Sequence, residues 1–137
     1  MCNWPDFPNV VQFATGGLIG NTVIICGGTD AYTIFDECYS LTSEEATLVT
    51  QMSVGRYFAA SIVINDNTLW VTGGWGVGAS TEYVTLTGTM HGPDLPMDLM
   101  VHAMVAINST CSMVIGGYSQ SLGKFYYVHQ IGGHRSH

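Results

Sequence analysis

LWVTGGW, residues 69–75, is a run of bulky strand formers that stops at two glycines and resumes on Trp75. The same ending occurs in NTVIICGG, residues 21–28, and in CSMVIGGY, residues 111–118. The pairs Gly27-Gly28, Gly73-Gly74 and Gly116-Gly117 lie 46 and then 43 residues apart. A period of that length suits stacked supersecondary units and is too short for separate domains. Reading back from each pair, a turn residue (Asn21, Asn67, Thr110) precedes a strand. Further back stand FAT (13–15), YFAASIVI (57–64) and HAMVAI (102–107), so each unit is predicted to open with a hairpin. The runs before the glycines alternate too little for a sheet wet on one side, which predicts strands buried on both faces.

After each pair comes a polar loop and a shorter strand, DECYSL (36–41), TEYVTL (81–86) and KFYYV (124–128). In the first two units residues 46–52 and 89–96 follow as a fourth strand. The glycines suit strand ends that meet neighbouring backbone closely and adopt positive φ. Residues 9–52, 53–97 and 98–128 therefore read as three units, the last without a fourth strand. Residues 1–8 read as a fourth strand without the three that should precede it, and 129–137 as a polar tail.

Hairpin, Gly-Gly, Glu-aromatic strand and Pro-containing fourth strand resemble the kelch repeat, over nearly the whole chain from Trp4 to about Val128. The family often carries a tryptophan in the fourth strand; here Trp4 stands in such a segment, while 46–52 and 89–96 have none. The resemblance implies an all-β fold of kelch-type β-propeller blades, about three four-stranded blades in this chain. An ordinary β-sandwich is the alternative all-β reading. Propeller rings typically have four to eight blades. The expectation is therefore half of a six-bladed ring, closed by a second chain, or part of a longer propeller; a lone half-ring would expose both apolar flanks.

Composition narrows the function classes. The 137 residues are 47% hydrophobic and 9% charged, which predicts a packed core rather than disorder. Ten acidic against three basic residues give a net charge of −7, so no basic stripe exists for nucleic acid or an anionic membrane surface. No apolar run reaches the ~20 residues of a membrane helix, and residues 1–10 lack the pattern of a signal peptide.

Cys26 and Cys38 fall on consecutive strands, at positions matched to Thr72 and Tyr83 in the second unit, and a cross-strand disulfide between them is expected. Cys111 maps to a hairpin position, and Cys2 lies beside the orphan segment. Asn108-Ser109-Thr110 is a glycosylation sequon in a predicted hairpin turn. Together these tilt the expected location to extracellular or secreted, with cytoplasmic as the alternative.

No catalytic or metal-binding constellation emerges, and no cofactor is expected. His91, His102, His129, His134 and His137 show no partner spacing, and no G-x-S-x-G occurs. His102 heads a strand and reads as a structural histidine, while Arg56 is expected to pair with Asp94 or Glu82. Some secreted kelch-like propellers are copper radical oxidases, but no Tyr or His here matches that site. The rim loops 29–35, 75–80 and 118–123 offer Tyr32, Trp75 and Tyr118 as interface anchors. The expected function is a non-catalytic protein-binding or structural module, whose partner is a protein or further propeller blades in a homodimer or larger assembly. The alternatives are a secreted copper-radical or carbohydrate-acting enzyme and an intracellular kelch adaptor.

Overall fold

A computed structural model describes residues 11–108 and 110–125, and the backbone of 128–132. The described chain is all-β, with no helix. Strands β1 (Thr15–Ile19), β2 (Thr22–Cys26), β3 (Glu37–Leu41) and β4 (Ala46–Gln51) form one antiparallel sheet in chain order. β5 (Ala60–Ile64), β6 (Thr68–Thr72), β7 (Thr81–Thr85) and β8 (Gly88–His91) form a second with the same order. β9 (Ala103–Ala106) and β10 (Cys111–Ile115) begin a third, and β11 (Tyr118–Ser119) pairs with β12 (Lys124–Phe125) as a separate ribbon. β13 (Val128–Gly132) completes the order β13-β10-β9. The sheets stay open.

The third unit departs from the sequence expectation in two places. Its third strand is β13 at Val128–Gly132 rather than 124–128, so part of the segment read as a tail is a paired strand. The cause is local: Tyr118 and Ser119 pair with Phe125 and Lys124, so the segment read as a loop folds on itself and displaces the strand along the chain. The orphan segment 1–8, with Cys2 and Trp4, lies outside the described residues, as do Tyr126, Tyr127, His134 and His137.

The hairpin tips follow from their turn residues. β1 and β2 are joined by Gly20 and Asn21, with Gly20 at φ 58°. β5 and β6 are joined by Asn65-Asp66-Asn67, where Asn65 and Asp66 adopt φ 52° and 61°, conformations that Asn and Asp tolerate. The Gly20 amide donates to the Asp66 carbonyl at 2.5 Å and ties the two tips together.

Side by side, the sheets bury their facing sides. Ile19, Ile24, Cys26, Cys38, Met52, Leu69, Val71 and Val84 make the core between the first and second sheets. Leu95, Leu99 and Val114, with Met97 and Met104, make the core between the second and third. The second sheet is thus covered on both faces, and Leu69, Trp70, Val71, Thr72 and Val84 are fully buried. That explains the weak alternation of LWVT in the sequence.

Glycine pairs set the spacing between sheets. All six glycines have positive φ, from 62° to 119°. The Gly28 amide donates to the Arg56 carbonyl at 2.7 Å, and the Gly74 amide to the Leu99 carbonyl at 2.9 Å. A Cβ on Gly27 would lie 2.4 Å from the Arg56 oxygen, and one on Gly73 2.3 Å from the Leu99 oxygen. At the first two pairs the lead-in of the next sheet therefore touches backbone to backbone. Gly73→Ala is expected to lower stability by about 2 kcal/mol or more, combining a strained φ with a backbone clash. Gly88→Ala, with open space around it, is expected to change stability by about 0.5 kcal/mol or less. Thermal unfolding of the two variants checks the contrast.

Candidate functional site

The residues just before each sheet repeat one unusual conformation. Phe13, Phe58 and Val101 stand at φ 60°, 60° and 52°, the left-handed region that a bulky or β-branched side chain seldom enters. The sequence suggested that FAT and YFAASIVI were strand from their first residue; β1 begins only at Thr15 and β5 at Ala60. Inter-sheet hydrogen bonds hold the turn: the Phe58 amide donates to the Phe13 carbonyl at 3.3 Å, and the Val101 amide to the Phe58 carbonyl at 3.0 Å. One residue earlier, Gln12 bridges Thr29, the Trp75 amide donates to the Tyr57 carbonyl at 2.9 Å, and Met100 bridges Tyr118. The three units therefore carry this end of the molecule in register.

Aromatic side chains collect there. The Phe13 and Phe58 rings are 4.1 Å apart, Tyr57 is 5.1 Å from Phe58, and Trp75 stacks on Tyr57 at 5.6 Å. Phe13, Trp75 and Val101 remain exposed. Of the three aromatics singled out in the rim loops, only Trp75 joins this run. Tyr118 lies on β11 with its ring 4.7 Å from Phe125. Tyr32 is 96% exposed at the apex of its own loop. That loop is held by the Asp30 carboxylate, which accepts the amides of Tyr32 at 2.9 Å and Thr33 at 2.6 Å; those bonds keep its pKa below the usual carboxylate value. Sequence reasoning passed over Phe13, Tyr57 and Phe58 because they were read as strand. The available signal is the recurrence of Phe13 and Phe58, 45 residues apart and two residues before the first strand of their units.

Behind this surface lie two polar junctions. Arg56 is 2% exposed and Glu82 1%. Arg56 Nη1 donates to the Gly73 and Ser80 carbonyls at 2.9 and 3.0 Å, and Nη2 to Ser80 Oγ at 3.0 Å and Glu82 Oε1 at 3.3 Å. Glu82 also accepts the Ser53 amide and hydroxyl. Burial lowers the Arg56 pKa while Glu82 opposes the shift, and the guanidinium stays charged. Of the two carboxylates the sequence offered for Arg56, Glu82 is the partner. Both terminal guanidinium nitrogens are bonded to protein groups while Nε is buried without a partner, an arrangement that ties the second sheet together through Arg56.

His102 occupies the next junction. A Cβ on Gly73 would lie 3.1 Å from its ring and one on Gly117 2.8 Å from its Cβ, so the histidine is wedged between two glycine pairs. Its Nε2 is 2.8 Å from Thr72 Oγ1, a hydroxyl that also lies 3.2 Å from the Ala60 carbonyl and 2.9 Å from Met104 Sδ. Burial depresses its pKa to about 4. Asp98, fastened to Ser119 and Ser121, is lowered to about 2.

Cys26 and Cys38 face each other across β2 and β3, with Cα atoms 4.1 Å apart, and form a disulfide inside the first inter-sheet core. Strand register matches them to Thr72 and Thr81, not to Tyr83. Cys111 is the first residue of β10. Asn108 is exposed, its Oδ1 accepting the Thr110 amide at 2.9 Å and hydroxyl at 3.0 Å. His91 ends β8, and the backbone of His129 lies in β13. Among the described residues no three His, Cys, Asp or Glu side chains come together. A cleft of about 310 Å³ lies at the hairpin end of the second sheet, lined by Ile64, Thr68, Tyr83, Thr85, Thr89 and Met90. No described helix is long and apolar enough to cross a membrane.

Arg56→Met alone is expected to cost about 3–5 kcal/mol, because it leaves the Glu82 carboxylate buried and unpaired. Arg56→Met with Glu82→Gln is expected to cost clearly less; urea denaturation separates the two. For His102 the folded pKa of about 4 lies below the free value of 6.5, so the unfolded chain binds the extra proton between these values. Stability should therefore be fully present above pH 6.5 and fall by roughly 3 kcal/mol on acidification to pH 4. The Asp98 contribution lies lower, below its free value of 3.8. His102→Asn should flatten the slope between pH 4 and 6.5 in melts followed across that range. Scans against family models and curated proteins found no match to this chain.

Proposed function

We propose that the chain is part of a kelch-like β-propeller that serves as a non-catalytic protein-binding module, working outside the cell. The observation that supports the propeller reading is the tandem junction. Gly28 to Arg56 and Gly74 to Leu99, and likewise Phe13 to Phe58 to Val101, repeat one inter-sheet contact at the repeat spacing. Repetition of one rotation about a shared inner edge is how propeller blades are arranged.

Binding is assigned to the end where the lead-in residues converge. Phe13, Phe58, Tyr57 and Trp75 form a run of rings of the kind that anchors protein interfaces, presented on backbone that the inter-sheet hydrogen bonds hold in place. Left-handed bulky residues are costly conformations of a sort that gathers at working surfaces. The Cys26–Cys38 disulfide fits an oxidising compartment, and exposed Asn108 in its sequon supports the same location.

Replacement of Trp75 by photoreactive benzoylphenylalanine should crosslink a protein from the extracellular fluid of the producing cells. The same replacement at exposed Leu86, just past β7, should not. Equal crosslinking at both positions would remove the assignment of binding to the aromatic end.

A further inference from the structure

The two ends of the sheet array carry matching apolar faces that no other described sheet covers. On the first sheet, the side turned away from the second holds Leu18, Val23, Ile25, Leu41 and Leu48. This follows from the register, which pairs Leu18 with Val23, Val23 with Leu41, Ile25 with Tyr39, and Tyr39 with Leu48. Their neighbours Ile19, Ile24, Cys26 and Cys38 point into the core. On the third sheet, Val114 and Met104 face the second sheet, so Ala103, Val105, Met113 and Ile115 face away from it. Leu18 is 57% exposed and Val105 48%. Neither face carries a basic residue, and aliphatic faces of this extent on a sheet are normally covered.

These faces are not alike; they are complementary in direction. The outer face of the third sheet corresponds to the face of the first sheet that packs on the second. The outer face of the first sheet corresponds to the face of the second that receives it. The backbone is open in the same sense. Val101 holds the position whose carbonyl accepts an amide from the next unit, as Phe13 and Phe58 do. Gly116-Gly117 holds the position of Gly27-Gly28 and Gly73-Gly74, with φ 69° and 105°. No described sheet follows to supply its carbonyl. At the other end, Val11 stands two residues before Phe13, as Arg56 stands before Phe58 and Leu99 before Val101.

We propose that two copies of this chain associate head to tail, the outer face of β9–β10 in one covering the outer face of β1–β4 in the other. Each of the two junctions repeats the contact that the chain builds twice within itself. Gly117 of one copy donates to the Val11 carbonyl of the other, and Phe13 of the second copy donates to the Val101 carbonyl of the first. Two such junctions close a ring of six sheets and leave neither face exposed. The inference rests on the propeller part of the reading above and is independent of what the aromatic end binds.

Light scattering on the intact, oxidised chain tests it, with Leu18→Lys and Val105→Lys as variants at exposed positions. The wild type should have twice the 14.7 kDa chain mass. Each variant should weaken the dimer by about 100-fold or more, because a lysine is trapped in an apolar junction. An equimolar mixture of the two variants should recover dimer, since the unaltered faces, Leu18 of the Val105→Lys copy and Val105 of the Leu18→Lys copy, make one intact junction. Near-ultraviolet circular dichroism checks that each variant is folded; should either fail, Leu18→Thr and Val105→Thr give the same test with a smaller effect. A monomeric wild type overturns the proposal. So does a dimer broken by Val105→Lys but not by Leu18→Lys, which would mean like-to-like pairing of third sheets, or a mass that grows with concentration, which would mean the contact does not close. A monomeric wild type that still crosslinks through position 75 would sink the dimer and leave the binding surface standing.

Discussion

The arrangement depends on one contact, the approach of each glycine pair to the backbone that leads into the following sheet. The second glycine's amide reaches the carbonyl of Arg56 in one case and of Leu99 in the other. The first glycine must lack a Cβ for that approach, since any side-chain carbon would sit about an ångström too close to the same oxygen. Positive φ at both glycines turns the strand end towards its neighbour instead of continuing the ladder. Once this contact sets the separation between sheets, the facing side chains have a fixed gap to fill. Thr15 and Ser61 hydroxyls then meet across the first gap at 2.5 Å, beside Gly17, which lies directly against Val63 and Leu69.

Position in the array sets how each sheet can use polar residues. The second sheet has protein on both faces, so its polar groups need internal partners: Thr72 finds His102, Thr81 donates to the Pro93 carbonyl, and Glu82 holds Ser53 and Arg56. In a chain with ten acidic and three basic residues, burying one of the three beside a single carboxylate places most of the negative charge at the surface. The first junction is closed by an ion pair and a disulfide, the second by a neutral histidine and methionines. One geometry is thus held by different chemistry at each repeat, so the glycines recur in the sequence while the side chains that close each junction differ.

Much of the architecture was legible because glycine pairs, turn residues and double-sided apolar runs report local demands on φ and packing. The strands of the first two sheets, the hairpin tip at Asn65-Asp66-Asn67 and the pairing of Cys26 with Cys38 all follow from such demands. The aromatic end was less legible. Tyr57 and Phe58 have strand-forming side chains, and nothing local marks them as a left-handed turn; the hydrogen bonds to Phe13 and Val101 that hold that turn span more than forty residues. Tyr118, named as a loop residue, pairs with Phe125 in a short local ribbon that its sequence does not mark as strand.

By itself, then, the sequence determined an all-β chain of about three repeated units, the ends of its strands, and its lack of charge suited to nucleic acid, since each depends on composition or on neighbours within a few residues. Tertiary structure alone decided which carboxylate Arg56 meets, that Cys38 is level with Thr81, and which rings gather at one end. Those outcomes depend on contacts between units, where register and separation are set by backbone meeting backbone at the glycine pairs, and no local pattern encodes them.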